Sequence, residues 1–258
     1  MRVLVTFAVE AEFAPWRALR AFKKARINPG HWSGGLEVQE AQIGDCAVWV
    51  YLTGIGIKAL DFGLVSCLKD AGLSLAVSSG LAGSLKTEYA PEDIVVPRRV
   101  GSLRDASGIP ATAGLVLFAK RRGAKVVDTL LTADRIVETR EEKHRLAAFA
   151  DVVDMESGHV MWGFINEKLP VATIRAISDS SEEDLPIDFA KCLTPRGQIR
   201  RGALLKELVG HPGKVPQLVR FGRQSRNAAR GLTVFLDGFI EALTPDVLQK
   251  ELIEVSAQ

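Results

Sequence analysis

The chain has 258 residues, and its 33 basic and 31 acidic residues leave a formal net charge of +2. Nucleic-acid-binding proteins usually carry a strong basic bias, so this balance excludes that class and favours a small neutral or anionic ligand. With 47% hydrophobic residues the chain can cover a sheet with helices, and we interpret residues 1–258 as one domain.

Cysteines, histidines and apolar runs give no sign of a metal, a cofactor or a membrane. The three cysteines, Cys46, Cys67 and Cys192, form no CxxC pair, and the four histidines lack zinc-ligand spacing. We therefore predict no metal and no cofactor, with reduced thiols in a cytoplasmic protein. No stretch reaches the roughly 18–20 apolar residues of a spanning helix, and the first residues do not form a signal peptide.

The predicted elements alternate between strands and helices along the first 180 residues. In chain order, the pattern predicts a strand over 2–9, a helix over 10–24, a hairpin over 36–52 that turns at Gly44 and Asp45, a helix over 57–70, strands over 73–79, 93–100 and 125–132, a helix over 140–149, a strand that becomes a helix over 152–168, and a strand over 170–178. Such alternation predicts an α/β fold with a mostly parallel or mixed sheet covered on both faces.

After residue 190 the composition changes, because the chain becomes basic and richer in proline. We predict a helical insertion or lid over 190–216 and a long helix over 217–243 that packs back on the sheet. Together they form a helical C-terminal extension. We interpret the basic stretch 196–206 as a solvated helical face, with a surface for anionic lipid headgroups as the alternative.

Acidic residues follow three of the predicted strands. Glu12 comes after the first strand, Glu156 after the strand that starts at residue 152, and Asp179 after the last strand. Ligands of open α/β sheets bind outside the carboxyl ends of the strands, so we expect the three acids to converge on one cleft among glycine-rich turns. The simpler alternative is that each acid caps the start of a helix, where a carboxylate accepts hydrogen bonds from backbone amides and is stabilised by the helix dipole.

Three carboxyl groups around one cleft suit the cleavage of a glycosidic bond. That reaction builds positive charge on the sugar, and a carboxylate beside the sugar stabilises it. A second carboxyl group can protonate the leaving base and a third group can activate water, each proton transfer contributing about 10²–10⁴-fold in rate.

Five motifs in order resemble the nucleoside phosphorylases and nucleosidases, a family that includes 5′-methylthioadenosine/S-adenosylhomocysteine nucleosidase. The motifs are VTFAVEAEF at 5–13, TGIG at 53–56, SSGLAGSL at 78–85 followed by DIVVP at 93–97, VVDMES at 152–157 and IRAISDSS at 174–181. The resemblance covers residues 1 to about 185 and implies a three-layer fold with a mixed central sheet flanked by helices. The C-terminal extension is similar to that of the hopanoid-associated branch, thought to act on nucleosides with a bulky apolar 5′ group.

The resemblance implies a role for each acid. Asp179 matches the acid that protonates N7 of a leaving purine, Glu12 the residue that positions and activates water, and Glu156 the carboxylate that binds the ribose hydroxyls. The other residues that it assigns to the substrate site are Met155, Ser178, Ser79, Gly80, Ile136, Val137 and Arg175. For Arg175, a bidentate pair with Glu12 and an ion pair on the outer face are both open.

Departures from the family pattern bear on the nucleophile. Phosphorylases of this family carry an arginine and a serine or threonine in the glycine turn, which here reads SSGL at 78–81. The arginine is absent and Leu81 replaces the hydroxyl residue, which favours water over phosphate because a buried anion normally needs a cation or a helix N-terminus. Lys58 or an arginine of a neighbouring subunit could still supply charge. Asp154 stands where some nucleosidases of the family have a glutamate, so this protein can recognise purine and ribose differently from those nucleosidases.

We therefore predict a nucleosidase that hydrolyses the N-glycosidic bond of a 5′-modified, adenosine-type nucleoside and forms a homodimer. Phosphate-dependent cleavage of the same bond is the first alternative, and a non-catalytic nucleoside-binding protein is the second. We expect the 5′ substituent to point toward 190–216.

Overall fold

The computed structural model describes residues 1–27, 35–57, 60, 62–103, 105–187, 189 and 212–254. Within these ranges the strands are β1 Arg2–Phe7, β2 Lys23–Ile27, β3 Leu36–Ile43, β4 Cys46–Leu52, β5 Leu73–Ser84, β6 Ile94–Ser102, β7 Asp105–Pro110, β8 Lys125–Thr132, β9 Val152–Asp154 and β10 Val171–Asp179. The helices are α1 Glu10–Leu19, α2 Phe62–Asp70, α3 Ala113–Arg121, α4 Arg140–Leu146, α5 Ser157–Asn166, a 3₁₀ turn at Pro212–Lys214, α6 Val215–Glu241 and α7 Pro245–Glu254.

The strands form one mixed sheet that partly closes on itself. Along the sheet the order is β10, β6, β8, β9, β5, β1, β4, β3 and β2, with β7 paired to β6. Because β10 pairs with β5 as well as with β6, the strands β5, β10, β6, β8 and β9 complete a ring. The carboxyl ends of the parallel strands β1, β5 and β10 therefore lie at one edge, where Val153 of the antiparallel strand β9 pairs with Gly83 of β5. Chain segments that are distant in sequence are brought together there.

Apolar strands form the centre of the core. All nine residues of β10 are buried, and β1 is buried from its second residue onward. Strands that are buried along their whole length are typical of sheets covered on both faces. Helix α5 packs against β5, β6, β8 and β10, whereas α6 packs against β10, β5 and α1. The helices therefore flank a mixed central sheet, which confirms the predicted α/β fold.

Helix α6 is fixed to α1 by a cluster of polar contacts. The indole of Trp16 donates to the carboxylate of Asp237 at 3.0 Å, and Arg20 donates to both oxygens of that carboxylate at 2.8 and 2.7 Å. The hydrogen bonds from Arg20 lower the pKa of Asp237. This cluster fixes α6, whose N-terminal half lines the cavity described below.

Several predicted boundaries are wrong. Helix α1 ends at Leu19 rather than at residue 24, because Arg20 is extended and residues 23–27 pair with β3 as a charged edge strand. Strand β5 does not end at Gly80 but continues to Ser84, since β10 pairs with it up to Gly83. Strands β2 and β7 and helices α3 and α7 were not predicted from the sequence.

The C-terminal extension is described in part. The helix predicted over 217–243 is confirmed as α6, which begins at Val215. Residues 190–211 of the predicted insertion lie outside the described residues, and 212–216 form the 3₁₀ turn and the first residues of α6. In the described part of the chain, no helix combines the length and hydropathy needed to cross a membrane.

Candidate active site

The three predicted acids line one cavity of about 270 Å³ at the carboxyl ends of β1, β9 and β10. At about 270 Å³ the cavity lies just below the range of roughly 300–1,000 Å³ that is typical of small-molecule sites. Most of its wall is apolar. The lining residues are Ala8, Val9, Glu12, Ile55, Leu81, Ala82, Gly83, Arg135, Ile136, Val137, Val153, Asp154, Met155, Glu156, Ser178, Asp179, Leu185, Phe189, Phe221 and Ser225.

Glu12 is a buried carboxyl group held by backbone amides. Its Oε2 accepts hydrogen bonds from Ala8 and Val9 at 3.0 and 3.2 Å, and its Oε1 accepts one from Leu81 at 2.9 Å. Burial raises the pKa of Glu12, although these bonds and the charge of Arg175 oppose the shift. Glu12 therefore caps the start of α1, as the simpler alternative predicted, and also reaches the cavity.

Glu156 lies at the start of α5, and its carboxylate contacts the glycine turn after β4. Its Oε1 accepts a hydrogen bond of 2.8 Å from the amide of Gly56. Burial raises the pKa of Glu156 to about 7, and the negative charge of Asp154 adds to the shift. Met155 lines the cavity beside it, and its Cε would lie 3.2 Å from a Cβ added to Gly56.

Asp179 ends β10 and accepts two side-chain hydrogen bonds. The hydroxyl of Ser178 lies 2.6 Å from its Oδ1, and the ammonium group of Lys143 lies 2.6 Å from its Oδ2. Lys143 comes from α4 and its side chain is fully buried. Lys143 was not singled out from the sequence, although one signal was present: this lysine and Leu146 share the buried face of a short amphipathic helix.

Arg175 lies beneath the cavity, where it pairs with Asp154. Its Nε donates to Asp154 Oδ2 at 2.8 Å, and its Nη2 donates to the hydroxyls of Ser78 and Ser157 at 3.0 and 2.9 Å. The expected pair with Glu12 is therefore wrong, and so is the outer-face alternative, because the side chain is buried. Arg175 supports the floor of the site and does not line the cavity.

Ser79 and Gly80, which were predicted to contact the substrate, do not line the cavity either. Ser79 is buried, and its hydroxyl makes no hydrogen bond. Gly80 lies directly under Glu12: a Cβ at this position would be 2.9 Å from Glu12 Oε1 and 3.1 Å from Arg175 Nη1. Its φ of +144° is also one that other residues rarely adopt. Gly80 is therefore required for space and backbone conformation.

The remaining wall is apolar. Ile136 and Val137 line part of the cavity, and Val137 belongs to a small buried cluster with Leu146 of α4. Another part of the lining includes Phe189 and Phe221, whose ring centroids are 5.3 Å apart. These two aromatic residues were not singled out from the sequence, since nothing local connects them.

A larger cavity, of about 440 Å³, lies between β6, β7, β8 and α5. It is lined by apolar residues such as Val100, Leu103 and Trp162 and contains none of the three acids. We therefore assign the chemistry to the smaller cavity.

Among the described residues, no group of three or more histidine, cysteine, aspartate or glutamate side chains could hold a metal ion. Lys58, considered as a source of charge, lies outside the described residues.

A mixed sheet whose strand ends place three carboxyl groups around one small cavity defines an α/β protein with a candidate small-molecule site. Sequence comparison gives the family. The sequence model of the phosphorylase superfamily matches residues 2–210, and the chain belongs to that superfamily. No match was found among curated protein sequences.

Solved structures with the same fold include two kinds of nucleosidase from Helicobacter pylori. The 5′-methylthioadenosine/S-adenosylhomocysteine nucleosidase with butyl-thio-DADMe-Immucillin-A is 19% identical, with a TM-score of 0.68 over 94% of this chain and 99% of that chain. Futalosine hydrolase is 18% identical, with a TM-score of 0.68 over 94% and 98%. The Campylobacter jejuni 5′-methylthioadenosine/S-adenosyl homocysteine nucleosidase is 16% identical, with a TM-score of 0.67 over 94% and 100%.

Proposed function

We propose that this protein hydrolyses the N-glycosidic bond of a 5′-modified, adenosine-type nucleoside and releases the free base. The observation that carries the proposal is the convergence of Glu12, Glu156 and Asp179 on one cavity of the scale of a small molecule. Membership of the phosphorylase superfamily supports it. The solved nucleosidases that share the fold support it as well.

Glu156 and Asp179 have complementary tasks in this mechanism. Glu156 binds the ribose hydroxyls, and its ionised form stabilises the positive charge that develops on the sugar as the bond breaks. Asp179 donates a proton to N7 of the purine, so that the base leaves as a neutral molecule. Ser178 flanks the base beside Asp179, and Ile136, Val137 and Met155 supply apolar contacts to the base and the sugar.

Glu12 positions and activates the attacking water. Burial raises its pKa, so this carboxylate is a stronger base than an exposed one and can accept a proton from water. The cavity offers little to a phosphate ion. Of the described residues that line it, Arg135 alone is cationic, and its guanidinium group is largely exposed and bound to Glu142. A phosphate held at a buried site would need closer charge, which supports water as the nucleophile.

The aromatic residues of the lining, Phe189 and Phe221, support the proposal that the substrate carries an apolar substituent at the 5′ position. Leu185, Phe189 and Phe221 lie together in the lining and present no charge. We propose that the 5′ group of the substrate packs against this wall. The predicted contact with 190–216 is not tested, because 190–211 lies outside the described residues.

Release of free base is the direct test. Purine nucleosides with hydroxyl, methylthio, homocysteinyl and longer apolar 5′ groups would be incubated with the protein, with and without inorganic phosphate. We expect adenine release that does not depend on phosphate and yields a free sugar. Strict dependence on phosphate, with a sugar 1-phosphate as product, would instead establish phosphorolysis. Binding without release of base would establish a non-catalytic nucleoside-binding protein.

We also propose a homodimer in the cytoplasm, as the family resemblance implies. Light scattering during gel filtration measures the mass directly, and a mass near that of one 28.0 kDa chain would contradict the dimer.

A further inference from the structure

Lys143 places a fully buried charged side chain against Asp179, and the mechanism above does not use it. Its side chain has no exposed surface, yet its ammonium group has three acceptors. They are Asp179 Oδ2 at 2.6 Å, the carbonyl of Ser180 at 2.8 Å and the carbonyl of Glu183 at 2.9 Å. A lysine ammonium carries three hydrogens, so each can be donated to one of these oxygens.

Burying an ammonium group is costly unless its charge is paired and its hydrogens are bonded, and the effective penalty is several kcal/mol. Lys86 offers a useful contrast. It forms a similarly short pair with Asp151, at 2.5 Å, but its side chain is 38% exposed and neither residue lines the cavity. Lys143 is instead buried directly behind the one oxygen of Asp179 that Ser178 does not contact.

We propose that Lys143 is a positioning residue that acts through Asp179, an inference that rests on the proposed function. The ammonium group holds Oδ2, so the proton that moves to the base is carried by Oδ1, the oxygen that the hydroxyl of Ser178 also contacts at 2.6 Å. The proton moves from Oδ1 to N7 while the electron pair of the breaking C–N bond goes to the purine. Asp179 is left as a carboxylate, and the positive charge beside it stabilises that product and the transition state before it. Lys143 neither gains nor loses a proton.

A pair of substrates separates this role from a structural one. A purine nucleoside methylated at N7 already has a cationic leaving group and needs no proton from Asp179. The experiment compares the best purine nucleoside substrate of the screen above with its N7-methylated form, for the wild type, Lys143→Met and the matched control Lys86→Met. For Lys143→Met we expect kcat on the unmethylated substrate to fall about 10- to 100-fold, with little change in KM. On the methylated substrate we expect a loss below about threefold, and Lys86→Met should leave both rates near the wild-type values.

Equal losses of Lys143→Met on both substrates, or no loss on either, would overturn the inference. If Lys143→Met does not fold, Lys143→Arg is compared alone and together with Asp179→Asn. A residue that acts through Asp179 should have no further effect once that carboxyl group is gone, so additive losses would also overturn it. Absence of base release by the wild type would overturn the proposed function itself, which is a different outcome.

Discussion

The backbone amide of Gly56 donates a hydrogen bond of 2.8 Å to the carboxylate of Glu156, a residue 100 positions later in the chain. The contact joins the turn after β4 to the start of α5, and it fixes the side chain that we assign to the ribose. The same carboxylate is buried beside Asp154, and these two conditions raise its pKa to about 7.

The first prediction concerns stability and pH. Between its ordinary pKa of 4.5 and about 7, Glu156 keeps its proton in the folded protein but loses it in the unfolded chain. The contribution of Glu156 to the free energy of unfolding is therefore present below pH 4.5 and is lost as the pH rises toward about 7. Glu156→Gln keeps an acceptor for Gly56 and carries no charge, so its stability relative to the wild type should improve over this range.

Urea unfolding of both proteins at about pH 5 and about pH 8 measures the difference. Glu10→Gln, which removes a half-exposed carboxylate from α1, is the matched control and should follow the wild type. A gap between wild type and Glu156→Gln that stays constant across this range would contradict the raised pKa.

The second prediction concerns Asp179. Asp179→Asn keeps the shape of the side chain but cannot donate an acidic proton, so kcat for base release should fall by about 10²–10⁴-fold. Asp128→Asn, at a side chain that is 85% exposed, is the matched control and should retain activity. The measurement is adenine release at saturating substrate. Turnover by Asp179→Asn at the wild-type rate would show that the acid is another group.

The third prediction concerns Gly80. In Gly80→Ala the new Cβ would lie 2.9 Å from Glu12 Oε1, so the carboxylate must move, and we expect kcat to fall by roughly 10²-fold. Gly123→Ala provides the control, because Gly123 also has a positive φ but its added Cβ would meet nothing within 4 Å. Both variants should lose stability through backbone strain, measured by thermal unfolding, and only Gly80→Ala should lose activity. Full activity in Gly80→Ala would mean that Glu12 tolerates displacement.

The fourth prediction concerns substrate choice. Phe221→Ala removes half of the aromatic pair with Phe189, and we expect kcat/KM for a nucleoside with a long apolar 5′ thioether to fall about tenfold or more. For 5′-methylthioadenosine, which has fewer methylene groups to bury, the loss should be smaller. Phe149→Ala, at an exposed phenylalanine outside the cavity, is the control. Equal losses on both substrates would place the 5′ group elsewhere.

Local sequence patterns predicted the elements that carry the site, and failed where a strand or helix depends on its neighbours. Strands β8 and β10 were predicted closely, since both are short runs rich in β-branched and aliphatic residues. The charged strand β2 was missed because only Ala25 and Ile27 of KKARI are apolar, which is too short an alternation to predict a strand. Pairing with β3 at the sheet edge orders it. Gly80 seemed to end β5, yet pairing with β10 carries the strand past it.

The sequence by itself determined the α/β fold and the position of Glu12, Glu156 and Asp179 after strands, because burial of apolar runs and the direction of parallel strands are fixed by local pattern. Only the tertiary structure decided which charges pair. Arg175 was a candidate partner of Glu12 but pairs with Asp154. Lys143 pairs with Asp179, which lies 36 residues away in the sequence. The interaction energy of two charges depends on their separation and on the surrounding dielectric, and neither quantity exists until the chain has folded.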